Sequence, residues 1–144
     1  MLSAYPACFI KEENGYSVIF PDLNAATCGQ TLDEAIQMAV DCLAGYLYTL
    51  HRDGRQPPAP SPLDKIDPAS VAADLADEGM DAAVYETFVN LITVDVEEYA
   101  KRHFEKSVRK TLSIPAWLNE AALRENLNFS QVLQEALKER LHIQ

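Results

Sequence analysis

Basic side chains are scarce over most of this chain. Residues 1–100 carry 4 Lys/Arg against 17 Asp/Glu, a net charge of −13. A surface of that sign repels nucleic acid and attracts basic protein. Cysteine is as sparse. Cys8, Cys28 and Cys42 are odd in number and sit in apolar contexts, which argues against a disulfide framework and for reduced, buried small hydrophobes. Their spacing, with no histidine close by, does not suit a metal site. No apolar run approaches the roughly 20 residues of a membrane span. The first residues hold neither a basic segment nor an apolar signal core, so no membrane partner and a cytoplasmic location are expected. His51, His103 and His142 are isolated from one another. No nucleophile–base pair emerges, and neither a catalytic residue nor a cofactor is expected.

What is present suffices for a core. At 48% apolar and 8% aromatic over 144 residues, the chain is one ordinary domain or a small domain with an appended module, not a disordered or fibrous protein. Tyr5, Ala7 and Phe9 alternate against Pro6 and Cys8 in a first strand. Asn14-Gly15 then signals a hairpin, and Tyr16, Val18 and Phe20 share a face of the return strand, which Pro21 stops. A short third strand is expected around Ala26 to Cys28, closed by Gly29. Thr31 and Glu34 make a capping box. Leu32, Ile36, Val40, Leu43, Leu47 and Leu50 follow at helical spacing up to Gly54, a stripe expected to lie on the sheet. The proline-rich stretch from Pro57 to Pro62 breaks regular structure. Beyond it, the pattern predicts a helix from Pro68, capped by Asp67 and ending before Gly79, then a strand over 85–94 and a charged helix over 96–106.

Charge changes sign at the end: residues 101–144 carry 8 Lys/Arg against 5 Asp/Glu, a net of +3. Residues 108–114 alternate as a half-exposed strand, with Val108, Leu112 and Ile114 on one face and Arg109, Thr111 and Ser113 on the other. Pro115 ends the strand, and two amphipathic helices are predicted over 116–124 and 129–141. A unit of roughly 40 residues rarely holds a core unaided, so this one needs a second copy. Two such strands side by side form a ribbon that fits the major groove of DNA. Arg109 can bond a guanine edge with two donors, and the Thr111 and Ser113 hydroxyls donate or accept, so these three are the candidate DNA contacts. Lys110, out of character on the apolar face, either snorkels from an inward position or reaches a phosphate. Asn128 with Gln131 caps the second helix, whose N-terminus, with Ser130, is a candidate phosphate contact. Trp117 is expected in a core or dimer contact.

The order Tyr5-Pro6-Ala7, then Asn14-Gly15-Tyr16-Ser17-Val18-Ile19-Phe20-Pro21-Asp22-Leu23, then Thr27, Gly29 and Thr31-Leu32-Asp33-Glu34-Ala35, resembles the HicB antitoxin family. Asn24-Ala25 stands where that family usually has Pro-Gly. The resemblance covers essentially the whole chain and implies an α+β fold. Its N-terminal part would be a partial RNase H-like domain, an antiparallel sheet packed by a long helix, and its end a ribbon-helix-helix. It divides the chain into a toxin-binding domain over 1–100, a linker over 101–107 and a DNA-binding and dimerisation domain over 108–144. The implied function is neutralisation of a HicA-type, basic, mRNA-cleaving toxin, together with repression of the shared operon at operator DNA by a homodimer or homotetramer.

Asp22 is a candidate toxin contact, able to pair with a cationic histidine. Asp33 and Asp41 are expected on the solvated face of the long helix, and Glu34 is accounted for as a cap partner. Two other readings stand beside the antitoxin: a metal-dependent nuclease of RNase H type tethered to nucleic acid, and a ligand-sensing transcriptional repressor. The nuclease would need carboxylates converging on a divalent metal, and the sequence names no such cluster.

Overall fold

A computed structural model describes residues 1–76 and 86–144, which fall into two compact units, Met1–Lys106 and Ser107–Gln144. Gly79, expected just past a helix, and Tyr85, expected to open a strand, lie outside the described residues.

In the first unit, the body, strands β1 (Leu2–Glu12), β2 (Gly15–Phe20), β3 (Ala25–Gly29) and β4 (Thr87–Asp95) form one antiparallel sheet in the order β3-β2-β1-β4. Helix α1 (Leu32–Arg52) packs its buried residues into one core with Tyr5, Ala7, Phe9, Val18, Phe20 and Ile92. Helices α2 (Pro68–Ala76) and α3 (Val96–His103) and a 3-10 turn at Leu63–Lys65 complete the unit. Helix α3 stops short of the residue 106 expected for it. Its N-cap is Asp95, whose carboxylate accepts from the Glu98 N–H at 3.1 Å.

The hairpin lies one residue ahead of its sequence signal. Glu12 pairs with Gly15, so Glu13 and Asn14 form the two-residue loop and Gly15 opens β2 at φ 142°. A side chain on Gly15 would run into the Gly29 carbonyl of β3. Asn24, in the β2–β3 turn, has φ 49°, a left-handed conformation that asparagine tolerates and proline cannot adopt.

Proline in a central strand needs an explanation, and the ladder supplies one. The Lys11 N–H donates to the Glu86 carbonyl at 2.9 Å, which marks Lys11 and Glu86 as a hydrogen-bonded pair. Alternation then turns the odd-numbered residues of β1 toward β4 and the even-numbered ones toward β2. The missing N–H of Pro6 therefore faces the β2 side, where the register has already stopped at Cys8↔Ile19, and no ladder bond is lost. Pro6, Cys8 and Ile10 are fully buried on the face opposite Tyr5, Ala7 and Phe9, so β1 is covered on both sides rather than half-exposed.

The apolar stripe of α1 is partly displaced. Leu43, Leu47 and Leu50 are buried as expected, but Leu32 and Ile36 remain 39% and 36% exposed, while Ala35 and Ala39 fill the contact. Small residues there let the helix approach the sheet: Gly29 leaves no space for a Cβ against the Ala35 backbone. The Thr31 hydroxyl accepts from the Glu34 N–H at 3.1 Å, and the Glu34 carboxylate reaches the N–H of Gln30, one residue before the cap, at 2.8 Å. Gly54, at φ 67°, ends α1 with two backbone bonds, from its own N–H to His51 and from Arg55 to Leu50, that satisfy terminal carbonyls. Of the cysteines only Cys8 is buried. Cys42 is half-buried, and Cys28 is exposed because β3 is an edge strand whose alternate residues, Ala26 and Cys28, face outward.

In the second unit, the tail, α4 (Ala116–Arg124) and α5 (Phe129–Leu141) occupy the expected spans. Both end on left-handed residues, Asn126 at φ 52° and His142 at φ 55°. Residues 108–114 form no ladder, since this unit offers no second strand for them to pair with.

Candidate functional site

Arg109, Lys110, Thr111 and Ser113 are all exposed in the segment before α4. No carboxylate occurs from Lys106 to Asn119, so the field there is locally positive. The tail as a whole is less basic than the sequence split suggests. Residues 107–144 carry 5 Lys/Arg against 4 Asp/Glu, because Lys101, Arg102 and Lys106 belong to the body. The cationic bias is therefore a property of the Arg109–Lys110 segment rather than of the helices.

Asn128 and Ser130 come together at the start of α5. The Asn128 side-chain oxygen accepts from the Gln131 N–H at 3.1 Å, and Gln134 donates to the Ser130 hydroxyl at 3.2 Å. Both side chains thus already serve the helix. The tail has no core of its own. Val108, Leu112 and Ile114 are 84%, 60% and 45% exposed and Trp117 is 70% exposed, and Leu133, the most covered large apolar residue of the unit, still exposes 37%. An apolar face of this extent is larger than short soluble units ordinarily leave to water.

The body is strongly acidic, with 7 Lys/Arg against 18 Asp/Glu over residues 1–106. Asp22 is not a free carboxylate. It accepts from the Ser61 N–H at 2.8 Å and from the Ser61 hydroxyl at 2.6 Å, and the nearby Tyr5 hydroxyl donates to the Pro58 carbonyl. The proline-rich stretch is thereby fastened to the sheet, a role its sequence, read only as a helix breaker, did not disclose. Asp41, expected on a solvated face, accepts from the Tyr99 hydroxyl at 3.0 Å and joins α1 to α3. The ring of His103 stacks on that of Tyr99 with centroids 4.0 Å apart. Burial, reinforced by the neighbouring Asp22 and Asp41 charges, pushes the Tyr5 and Tyr99 hydroxyls above the usual tyrosine range. Asp41, Cys42, Tyr46, Thr49 and Arg55 line a shallow open groove along α1. Among the described residues no three His, Cys, Asp or Glu side chains group to hold a metal ion, and no helix is long and apolar enough to cross a membrane.

These features define a class: an α+β protein with an acidic folded body and a short unit that presents cations and an uncovered apolar face. Comparison with known proteins narrows it. A family model described as the HicB_like antitoxin of bacterial toxin-antitoxin systems matches residues 5–137, and the chain belongs to that family. Antitoxin HicB 2 of Photorhabdus laumondii is 40% identical over 73 residues, covering 48% of this chain and 52% of that protein. Antitoxin HicB 1 of the same organism is 42% identical over 66 residues, 43% of each. The chain spans about half the length of the curated relatives it matches. A chain from a toxin–antitoxin complex of Streptococcus pneumoniae superposes with a TM-score of 0.63 at 29% identity, covering 97% of this chain and 99% of that one.

Proposed function

We propose that this chain is an antitoxin that sequesters a basic, HicA-type mRNA-cleaving toxin with its body and represses its own operon with its tail. The observation that carries the reading is that a single antitoxin family model spans both units, over residues 5–137. Body chemistry supports the toxin half, since a net charge of −11 over residues 1–106 favours a basic partner and can occupy positions that RNA phosphates would take. In this reading the body, with a long helix on an antiparallel sheet, is the partial RNase H-like domain of the family and acts in the cytoplasm without turnover.

The tail supports the operator half. Its uncovered apolar face is closed by a second copy. Residues 108–114 of the two copies pair into a ribbon that enters the major groove of operator DNA as part of a ribbon-helix-helix dimer, or of a tetramer built from two such dimers. Arg109, Thr111 and Ser113 read base edges, while Lys110, Asn128 and Ser130 hold phosphates.

Co-expression with the product of the adjacent reading frame, followed by size-exclusion chromatography, tests the proposal. Co-elution with a small basic polypeptide that arrests growth when expressed alone is the expected result. Failure of that polypeptide to associate, or Mg²⁺- or Mn²⁺-dependent cleavage of RNA by the purified chain, overturns it.

A further inference from the structure

We propose that the outer edge of β4 is the docking surface for a basic protein, which adds a strand of its own to the body's sheet. This assignment rests on the antitoxin reading and says where the partner binds. Strand β4 ends the sheet and pairs with β1 over nine consecutive positions, from Leu2↔Asp95 to Ile10↔Thr87, without a bulge. The bonded pair Lys11–Glu86 sets the phase. Phe88, Asn90, Ile92 and Val94 therefore bond to β1, whereas Thr87, Val89, Leu91 and Thr93 turn their N–H and C=O groups outward. An independent bond agrees, because the Leu91 N–H is taken by the side-chain oxygen of Asn90 at 2.8 Å rather than by β1. A docking strand replaces that local bond with its own carbonyl.

Edges of this kind are ordinarily blunted by lysine, proline, a bulge or shortness. Thr87–Asp95 has none of these. It is uncharged up to Asp95 and leaves Phe88 39% and Leu91 42% exposed. The opposite edge, β3, is five residues of mostly small side chains. Among the described residues no strand pairs with the outer side of β4.

Charge selects the occupant. Glu86 precedes the strand, and Asp95, Glu97 and Glu98 follow it, offset only in part by Lys11 at 3.6 Å from Glu86, the N-terminal ammonium at 2.9 Å from Asp95 and Arg102 at 2.8 Å from Glu98. Two copies paired antiparallel about a two-fold axis would bring Glu86 of each beside the Asp95–Glu98 end of the other, and each body already carries −11. A basic strand instead meets carboxylates at both ends. Main-chain bonds supply affinity in strand addition, while charge steers the encounter.

The test measures binding of the purified basic product of the adjacent reading frame to the full chain by calorimetry. Val89→Pro removes one outward N–H and leaves the β1 ladder intact. Leu91→Lys places a cation at the exposed centre of the edge. Each is expected to weaken binding about tenfold or more, with an unchanged circular dichroism spectrum and unchanged mass of the chain alone. Wild-type affinity in the folded variants overturns the edge assignment while the antitoxin reading stands. A fall in the mass of the chain alone overturns it too, because the edge then belongs to a second copy. Should Val89→Pro fail to fold, Leu91→Lys decides. If the wild-type chain does not bind this product, the antitoxin reading falls and takes the edge assignment with it.

Discussion

Ser61 holds both carboxylate oxygens of Asp22, one through its backbone N–H at 2.8 Å and the other through its hydroxyl at 2.6 Å. The pair is 39 residues apart in sequence and ties the proline-rich stretch to the turn after β2. Removing the carboxylate leaves the Ser61 donors without their partner in a half-buried site. Asp22→Ala should therefore lower stability by about 1–3 kcal/mol. Ser61→Ala should cost less, because its backbone donor survives. In urea denaturation the double variant should fall short of the sum of the two, and strict additivity would show that the latch carries no coupling.

Gly29 gives a second, purely steric expectation. A Cβ at this position meets the backbone of Ala35 and of Glu34, and backbone cannot move aside as a flexible side chain can. Gly29→Ala should force α1 off β3 and destabilise the body by about 1–3 kcal/mol or more. Ala35→Gly in the same background should recover little, since the clash is with main-chain atoms. Thermal melts of the single and double variants measure both effects.

Much of this architecture was legible along the chain, for identifiable reasons. The spans of α4 and α5 follow from Pro115 before the one and Asn128 before the other, and the start of α1 from Thr31 and Glu34; capping chemistry is local and survives any tertiary context. What was not legible depends on contacts distant in sequence. Leu32 and Ile36 share the helical period of Leu43, yet only the placement of β3 decides that Ala35 and Ala39 fill the interface there. Asn14-Gly15 marked the hairpin but not its frame, which is set by Gly15 lying against Gly29. Ser61 and Asp22 carry no mutual signal at all. Residues 108–114 have the alternation of a strand, but alternation supplies no partner, and a single chain contains none.

Tyr5 and Tyr99 tie stability to alkaline pH. Burial first, and then the Asp22 charge for Tyr5 and the Asp41 hydrogen bond for Tyr99, raise both hydroxyls above the ordinary tyrosine value of about 10. A folded-state value above the unfolded one means that the folded chain holds these protons more tightly. Their contribution is accordingly complete below about pH 10 and is lost as the pH climbs through and beyond it. Urea midpoints should thus drop more steeply above about pH 10 in the wild type than in the Tyr5→Phe/Tyr99→Phe variant, which has no such protons to lose. Spectrophotometric titration of the six tyrosines should show two late-ionising groups that vanish in that variant. Identical pH profiles would remove the linkage.

Arg109 decides whether the tail reads DNA. It is exposed, lies in a stretch from Lys106 to Asn119 that holds no carboxylate, and alternates with the apolar positions so that a paired strand would put it on one face with Thr111 and Ser113. Its guanidinium could bond two acceptors of one guanine, a contact worth about 1–3 kcal/mol per site and present twice in a two-fold dimer. The apolar face that would join the copies is made by other residues, Val108, Leu112 and Ile114 among them. Arg109→Ala should therefore abolish the gel shift of DNA from upstream of its own reading frame at matched salt while leaving the eluted mass unchanged. Leu112→Asp should do the reverse in order of cause, losing DNA because it first loses the dimer. If Arg109→Ala retained full affinity, the ribbon would not be the reading surface, and the cations of the segment would serve only as solvated charge.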